Sequence, residues 1–436
     1  LIRSLDTPAM DHHRTRPTRI RHIVLWLTVA AYMITYMDRV VISAAVPVIQ
    51  NEFGFSIVTM GWILAAFRWG YALFQIPGGW LGDRIGPRRA LTLIVTWWSL
   101  FTSATALAWS AMSMAVFRFL FGVGEAGAFP IATRSLSRWM LPTERGYAQG
   151  LTHAGSRLGA AFTPPIAVLL ITLYGWRAPF FVFGSLGLVW AAVWYFYYRD
   201  TPEEHRSVNA AEREMIHRAL GGPRSRTSRS VPWRRILTNA NLGILSLMYA
   251  LYGYCLAVYL DWLPKYLNEH RGFNLKEMGF YAMFPLLAAT LGDLLGGWSS
   301  DHLAERTGNL KMARRVVGTA GFLVAAVGIT LAALTADPVA SVWYNCLGMF
   351  GLEVTVGVSW AIPLDVGGDY AGTVSAVMNT FGNIGGAISP VLLAYLVRAY
   401  GWDVPFLLAA GLSVAAALLF TRIDATKSIF SSEVRG

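Results

Sequence analysis

The sequence has 436 residues, of which 55% are hydrophobic and 14% are charged, and its formal net charge is +11. A soluble globular domain has roughly 45–50% apolar and roughly 25% charged residues, so this composition excludes an ordinary soluble enzyme and predicts a chain embedded in lipid. The positive charge does not indicate nucleic-acid binding, because most of the basic residues fall in loops on one side of the predicted membrane spans.

Twelve stretches are long and apolar enough to cross a bilayer, which takes about 20 predominantly apolar residues. The first six predicted spans cover residues 23–49, 59–81, 90–109, 112–134, 147–174 and 178–198. The second six cover residues 239–263, 278–300, 316–335, 338–364, 372–397 and 404–420. The sequence therefore predicts an all-α integral membrane protein with twelve transmembrane helices.

The spans divide the chain into a basic N-terminus (1–22), a first bundle (23–198), a linker (199–238), a second bundle (239–420) and a tail (421–436). Lys and Arg are concentrated in the N-terminus, the even-numbered loops and the tail, which predicts that both termini are cytoplasmic. We expect a multi-pass protein of the inner (plasma) membrane. No cleaved signal peptide is expected, because the first span is long and is followed by others.

The two bundles repeat one pattern. Residues 79–83 and 297–301 both read Gly-Trp-x-x-Asp, and residues 159–164 and 385–390 both begin with Gly and end with Pro. This internal repeat predicts two six-helix halves. Transporters with such parallel repeats hold their substrate near the bilayer midplane and expose it to each side in turn.

Four charged residues lie inside the first and fourth predicted spans: Asp38, Arg39, Arg118 and Glu125. A charge at the bilayer centre costs at least about 2.5–3.5 kcal/mol, so these residues need partners and usually mark a substrate or ion pathway. Arg118 and Glu125 are seven residues apart and so share one helix face. Either the four form structural ion pairs, or a substrate carboxylate takes an arginine and the released acid takes a proton. We favour the second interpretation.

The turn that follows the second span is a candidate gating loop. It combines small residues, which let helices approach closely, with an acid and arginines that can bind helix ends and one another. Together with the repeat, it resembles the signature loop of the major facilitator superfamily. Its candidate gating residues are Gly79, Asp83, Arg84, Gly86 and Arg88.

Four stretches resemble one branch of that superfamily, the anion:cation symporter family, which includes bacterial sugar-acid permeases and the animal vesicular glutamate and sialic acid carriers. They are Tyr-Met-Asp-Arg at 36–39 and the segments 69–79, 118–130 and 175–185. The resemblance implies proton-coupled uptake of an organic anion, such as a sugar acid or another carboxylate. It implies no cofactor, with the proton as the coupling ion.

The resemblance also implies roles for individual residues. Asp38 and Glu125 match protonation sites, Arg39 and Arg118 match anion-contacting arginines, and Tyr71 matches a substrate-contacting tyrosine. In the second half, the matching lining positions are Asn379, Ser359 and Trp360. For Asn379 and Ser359 a hydrogen bond that packs helices is an equal alternative.

Two further arginines, Arg68 and Arg157, fall in the second and fifth spans. A planar guanidinium suits bidentate binding of carboxylates, so both could line the cavity and bind a substrate with more than one carboxylate or with a bulkier anionic group. Alternatively, they could pair with acids of the second half. The candidate acids are Asp261, Asp293, Glu353 and Asp365.

Other function classes have weaker support. Residues 122–127 fit the Gly-x-Gly-x-x-Gly dinucleotide fingerprint, but they lack the preceding strand that the motif requires. No nucleophile-base set or metal-ligand spacing indicates an enzyme or a metal site. An exporter of drugs or metabolites on the same fold is the main alternative. We expect the partners to be a small organic anion, protons and the bilayer, and the protein to be a monomer.

Overall fold

The structure is a computed structural model that describes residues 16–141, 144–220 and 232–430. Within these ranges the chain forms helices and no β-strand. A helix satisfies its own backbone hydrogen bonds, as a segment surrounded by lipid must. The predicted all-α class is confirmed.

The first half contains six helices, and two of them share one predicted span. The fourth span is interrupted at Ala126 and Gly127, because Pro130 has no N–H to bond the carbonyl group of Ala126. The interruption places Glu125 at the end of a helix. The helices are α1 (Ile20–Phe53), α2 (Ile57–Thr105), α3 (Ala111–Glu125), α4 (Ala128–Trp139), α5 (Arg145–Tyr174) and α6 (Ala178–Tyr197).

Helix α2 turns sharply at Gly86, where φ is +80°, and its two arms correspond to the second and third predicted spans. By length and hydropathy, eleven segments of the described residues qualify as membrane spans. The arm after Gly86 is not one of them, since its arginines, threonines, serines and tryptophans lower its hydropathy. This arm nevertheless packs against α3 inside the bundle. If Gly124 of α3 carried a Cβ atom, that atom would lie 3.1 Å from the backbone nitrogen of Trp98 in the arm. It is the twelfth transmembrane helix of the fold.

Substitution of Gly86 by alanine should destabilise the protein by roughly 1–3 kcal/mol. The positive φ disfavours any side chain, and the new Cβ would lie 2.6 Å from a carboxylate oxygen of Asp200. Thermal unfolding of the purified protein measures the loss. Gly175→Ala is the matched control, because Gly175 has φ +83° but no atom within 4 Å of a built Cβ. A loss no larger than that of the control would contradict the expected clash.

A linker helix, α7 (Ala210–Leu220), follows the first half. Its residue Glu212 accepts hydrogen bonds from the hydroxyl of Thr18 at 2.6 Å and from the backbone N–H groups of Ile20 and Arg21, both at 3.2 Å. A carboxylate at this position caps the N-terminus of α1. The linker is therefore fastened to the first bundle.

A short helix, α8 (Trp233–Leu237), leads into the second half. Parts of the predicted N-terminus, linker and tail, namely residues 1–15, 221–231 and 431–436, lie outside the described residues. The second half contains α9 (Ala240–Ala257), a π-helical turn (Val258–Trp262), α10 (Leu263–Glu269), α11 (Leu275–Tyr281), α12 (Met283–Thr307), α13 (Leu310–Leu334), α14 (Pro338–Gly367), α15 (Ala371–Tyr400) and α16 (Asp403–Phe420).

The sequence repeat is visible in the helix packing. Gly159 of α5 lies against the backbone of Met33 in α1, where a Cβ would be 3.0 Å from the Met33 Cα. At the equivalent position of the second half, Gly385 of α15 lies against Ala250 in α9, with a corresponding distance of 3.1 Å. Small residues thus bring equivalent helices together in both halves.

The two halves meet beside the point where α1 ends and α2 begins. A Cβ at Gly61 of α2 would lie 2.7 Å from the carbonyl oxygen of Pro390 in α15. A Cβ at Gly279 of α11 would lie 2.8 Å from the side chain of Val168 in α5. The ion pairs Arg68–Asp261 and Arg157–Glu353 also join the two halves.

Candidate functional site

Three of the four charges of the first and fourth spans are buried, and the fourth, Arg39, keeps 12% of its side-chain surface exposed. The side chains of Asp38 and Glu125 have no exposed area, and that of Arg118 is 1% exposed. Burial of a charge without a partner is costly, so the contacts of each one indicate its function.

Arg39 and Glu125 form an ion pair between α1 and α3. The Nε atom of Arg39 donates to Oε1 of Glu125 at 3.0 Å, and the terminal nitrogen NH2 contacts the same oxygen. The guanidinium carbon lies 4.8 Å from the ring centroid of Tyr36 and 5.1 Å from those of Phe67 and Tyr71. Aromatic faces at this distance attract a cation and hold it in place.

Arg118 and Asp38 lack such partners. Among the described residues, neither Asp38 oxygen makes a hydrogen bond, and neither do Nε and NH1 of Arg118. Asp38 is close enough to Trp98, Glu125 and Arg118 for each to act on its charge. A buried arginine with free donors beside a buried free carboxylate is an arrangement suited to binding an anion and a proton.

Arg68 is paired with an acid of the second half. Its Nε donates to Oδ2 of Asp261 at 2.9 Å, and its NH2 lies 2.8 Å from the same oxygen. Asp261 lies in the π-helical turn Val258–Trp262, an irregularity that often marks functional sites in helices. Of the two alternatives for Arg68, the structure shows pairing.

Arg157 is also paired across the boundary between the halves. Its NH2 lies 2.6 Å from Oε2 of Glu353, and its NH1 donates to the hydroxyl of Tyr36 at 3.5 Å. Glu353 additionally accepts a hydrogen bond from the hydroxyl of Tyr252 at 2.9 Å.

Of the other two candidate acids, Asp365 lies apart from these pairs, whereas Asp293 lies near the Arg157–Glu353 pair. Asp365 lies 3.3 Å from Arg314 inside the second half. Asp293 acts electrostatically on His153 and Arg157 across the boundary.

The candidate lining residues of the second half differ in their contacts. Trp360 donates from its indole nitrogen to the hydroxyl of Tyr249 at 2.8 Å, and Tyr249 stacks on Tyr252 at 5.0 Å. Because Tyr252 donates to Glu353, Trp360 is linked to Glu353 through these two tyrosines. Ser359 is fully buried and donates to the carbonyl group of Thr355 at 2.7 Å within its own helix. This contact is the one expected if Ser359 serves helix packing rather than substrate binding.

Asn379 contributes a backbone carbonyl group rather than a side-chain contact. The amide of Asn383 donates to that carbonyl oxygen at 3.1 Å and to Oε1 of Gln75, in the first half, at 3.3 Å. Asn383, rather than Asn379, therefore makes a side-chain hydrogen bond to the first half. Asn379 and Asn383 are four residues apart and share a helix face, a spacing that could have identified it.

The sequence interpretation also missed Tyr249 and Tyr252. The two are three residues apart on α9 and so present their rings on one face. That spacing is a signal, but tyrosine pairs are common in apolar helices and do not by themselves indicate a site.

The candidate gating loop is attached to its own half. Arg88 donates from its backbone nitrogen to Asp200 at 3.0 Å and from Nε to the carbonyl group of Tyr195 at 2.9 Å. Arg84 lies over the ring of Trp80 at 5.3 Å. The contacts of Arg88 fasten the loop to the end of α6, whereas that of Arg84 lies within α2.

Two further residues of the candidate gating loop, Gly79 and Asp83, have counterparts in the second half. A Cβ at Gly79 would lie 3.7 Å from Pro130, so this glycine brings α2 and α4 together. The side chain of Asp83 lies outside the part of the chain that is described. Its repeat counterpart, Asp301, lies 2.7 Å from Arg314 at the start of α13.

Within the described ranges, no group of three or more His, Cys, Asp and Glu residues is placed to hold a metal ion. Three of the intramembrane arginines, Arg39, Arg68 and Arg157, are instead paired with acids. An anion that binds at one of these three must displace its acid, whereas Arg118 has donors without partners among the described residues.

Comparisons with known proteins identify the family of the chain. A family model described as Major Facilitator Superfamily matches residues 28–390. A probable sulfoacetate transporter, SauU, from Cupriavidus necator is 40% identical over 401 residues, which cover 92% of this chain and 93% of that protein. A hexuronate transporter from Bacillus subtilis is 30% identical over 404 residues, which cover 92% of this chain and 93% of that protein.

A solved structure shares the fold. It is an inward-facing, unoccupied bacterial homologue of the human lysosomal transporter Spinster, with a TM-score of 0.78 at 19% identity. The match covers 94% of this chain and 98% of that chain. At this identity the likeness shows the fold alone.

Proposed function

The chain belongs to the Major Facilitator Superfamily, and from that premise we propose that it carries a small organic anion into the cell together with protons, by alternating access. It is a membrane transporter and not an enzyme. One observation carries the proposal: the Arg39–Glu125 ion pair lies beside an arginine and a carboxylate, Arg118 and Asp38, that have no hydrogen-bond partners among the described residues.

The anion would bind between the two arginines of the first half. Arg118 offers two donors without partners among the described residues, Nε and NH1. Each of them forms one edge of the guanidinium together with NH2, and such an edge matches the two oxygens of a carboxylate. Arg39 lies over Phe67, and Arg118 lies over the same ring, each at 5.1 Å, so both guanidiniums can reach one ligand.

Anion binding and proton binding would then be coupled by competition for Arg39. When the ligand takes Arg39, Glu125 loses its cation inside a buried environment, where an unpaired carboxylate is costly. A proton removes that cost. Asp38, which has no hydrogen-bond partner among the described residues, is the second site that we propose for a proton.

The relatives support an organic anion as the substrate. One is described as a probable sulfoacetate transporter and another as a hexuronate transporter, and both cover more than nine-tenths of this chain. We propose a sugar acid or another small carboxylate, Tyr71 as a substrate contact beside Arg39, and no cofactor other than the coupling proton.

We also propose the surroundings that the sequence indicates. The basic loops and ends favour cytoplasmic termini. We propose a monomer in the inner membrane, with halves bounded by residues 23–198 and 239–420. A proton gradient directed inward then drives uptake rather than export.

Uptake by proteoliposomes tests the proposal. Labelled sulfoacetate and labelled glucuronate are offered as probes, with the outside buffer either more acidic than the lumen or matched to it. We expect an inward proton gradient to raise accumulation of at least one probe above its equilibrium level, and a protonophore to abolish the gain. Accumulation that is the same with and without the proton gradient, or efflux driven by that gradient, would contradict proton-coupled uptake.

A further inference from the structure

Tyr36 joins two guanidinium groups that belong to different ion pairs. The guanidinium carbon of Arg39 lies 4.8 Å from its ring centroid, and that of Arg157 lies 5.6 Å from the same centroid. The two carbons are therefore no more than about 10 Å apart. Arg157 therefore contacts the same aromatic ring as Arg39, which belongs to the site proposed for the anion.

Arg157 is only partly engaged by the protein. Its Nε is buried and has no hydrogen-bond partner among the described residues, and its contact with the hydroxyl of Tyr36 is long, at 3.5 Å. Its close contact is with a carboxylate oxygen of Glu353, at 2.6 Å. A protein carboxylate thus occupies the position where an anionic group of a ligand would bind.

We propose that Arg157 and Tyr36 form a second anion subsite, that Glu353 occupies it when no substrate is bound, and that it selects dianions over monoanions. The inference rests on the proposed function, because it adds a second contact to the anion held by Arg39 and Arg118. An anionic group of a ligand must displace Glu353 from Arg157 before it can bind at this subsite.

The exchange is energetically feasible. A buried ion pair contributes little net stability, because the cost of desolvating both charges offsets their attraction. Exchanging Glu353 for a ligand anion replaces one buried pair by another of the same kind. Glu353 also keeps the hydrogen bond from Tyr252, at 2.9 Å, when Arg157 leaves it.

The spacing favours a short dianion. An arginine in contact with a carboxylate or sulfonate has its guanidinium carbon about 4 Å from the acidic centre, since the N···O distances are about 2.7–2.9 Å. With the two guanidinium carbons no more than about 10 Å apart, acidic groups that lie between them are separated by at most a few ångströms. Sulfoacetate and malonate have this length, whereas six-carbon diacids need bent conformations.

Matched ligand pairs test the subsite. Sulfoacetate is compared with 2-sulfamoylacetate, and malonate with malonamate; in each pair the second compound has nearly the same shape and one charge fewer. Calorimetry on the purified full chain gives the dissociation constants. The ratio of the two constants is unaffected by the fraction of misfolded protein.

We expect the wild type to prefer a dianion by about 10- to 100-fold, the range of one charge-assisted hydrogen-bonding contact. Arg157→Gln should abolish most of that preference while still binding the monoanion. Glu353→Gln should increase the preference, because the resident competitor loses its charge. A purely structural Arg157–Glu353 pair would instead change both constants in parallel.

Arg314 supplies the control. It is also buried and also paired with acids, but its partner Asp365 lies twelve residues from Glu353 on α14, about 18 Å along the helix. Arg314→Gln should leave the ratio unchanged. A wild type without dianion preference, or a preference that survives Arg157→Gln, overturns the subsite, whereas the proposed function fails separately if monoanions and dianions alike go untransported.

Discussion

Replacement of Glu125 by glutamine should abolish proton-driven accumulation of the anion while leaving exchange of internal for external substrate intact. Glutamine can still accept a hydrogen bond from Arg39, the partner of Glu125 at 3.0 Å, but it cannot bind a proton at any working pH. The substrate would then cross without its coupling ion. Uptake by proteoliposomes under an inward proton gradient should stop at the equilibrium level, with counterflow within a few fold of wild type.

The matched control for this variant is Glu144→Gln. Glu144 also accepts two hydrogen bonds from an arginine, Arg21, each at 3.1 Å, but it lies at the end of the molecule where the chain enters α1. Arg21 lowers the pKa of Glu144 through a direct hydrogen bond, so this carboxyl is ionised throughout the working range. Its loss should spare accumulation. Accumulation by Glu125→Gln at the wild-type level would show that Glu125 is not a coupling site.

Arg118→Lys is the second change with a large expected effect. The buried guanidinium offers two donors in a fixed plane, whereas an ammonium on a flexible stem offers a point charge. Loss of one charge-assisted hydrogen bond corresponds to about 1.5–3 kcal/mol, so the dissociation constant should rise about 10- to 100-fold. Calorimetric titration with the transported anion measures it.

Arg177→Lys is the control for that substitution. Arg177 lies 2.8 Å from Glu52 and is about half exposed, with 45% of its side-chain surface accessible. A surface ion pair of this kind contributes roughly 0–1 kcal/mol, so the dissociation constant should change little. Wild-type affinity in Arg118→Lys would remove Arg118 from the anion site.

Most of the fold was predictable, because lipid leaves the chain few options. Long apolar stretches had to be helices, and the Gly-Trp-x-x-Asp repeat fixed the six-plus-six division. The turn at Gly86 was also signalled, since glycine before proline favours a break. The interruption between α3 and α4 was not foreseen, although Pro130 is its cause.

The pairings inside the site were only partly predictable. Helical periodicity places Arg118 and Glu125 on one face, but it does not say which residue of another helix approaches Glu125; that residue is Arg39. The partners of Arg68 and Arg157 depend on how the two halves pack against each other. Their acids, Asp261 and Glu353, were among several candidates that no sequence pattern could separate.

Counting the protons taken up when the anion binds tests most directly whether the anion takes Arg39 and thereby frees Glu125 for a proton. The purified chain is titrated with its anion near neutral pH in two buffers of different ionisation enthalpy, and the difference in heat gives the protons bound per anion. We expect about one proton or more per anion in the wild type and a lower count in Glu125→Gln. Equal heats in the two buffers for the wild type would contradict the coupling of anion and proton at this site.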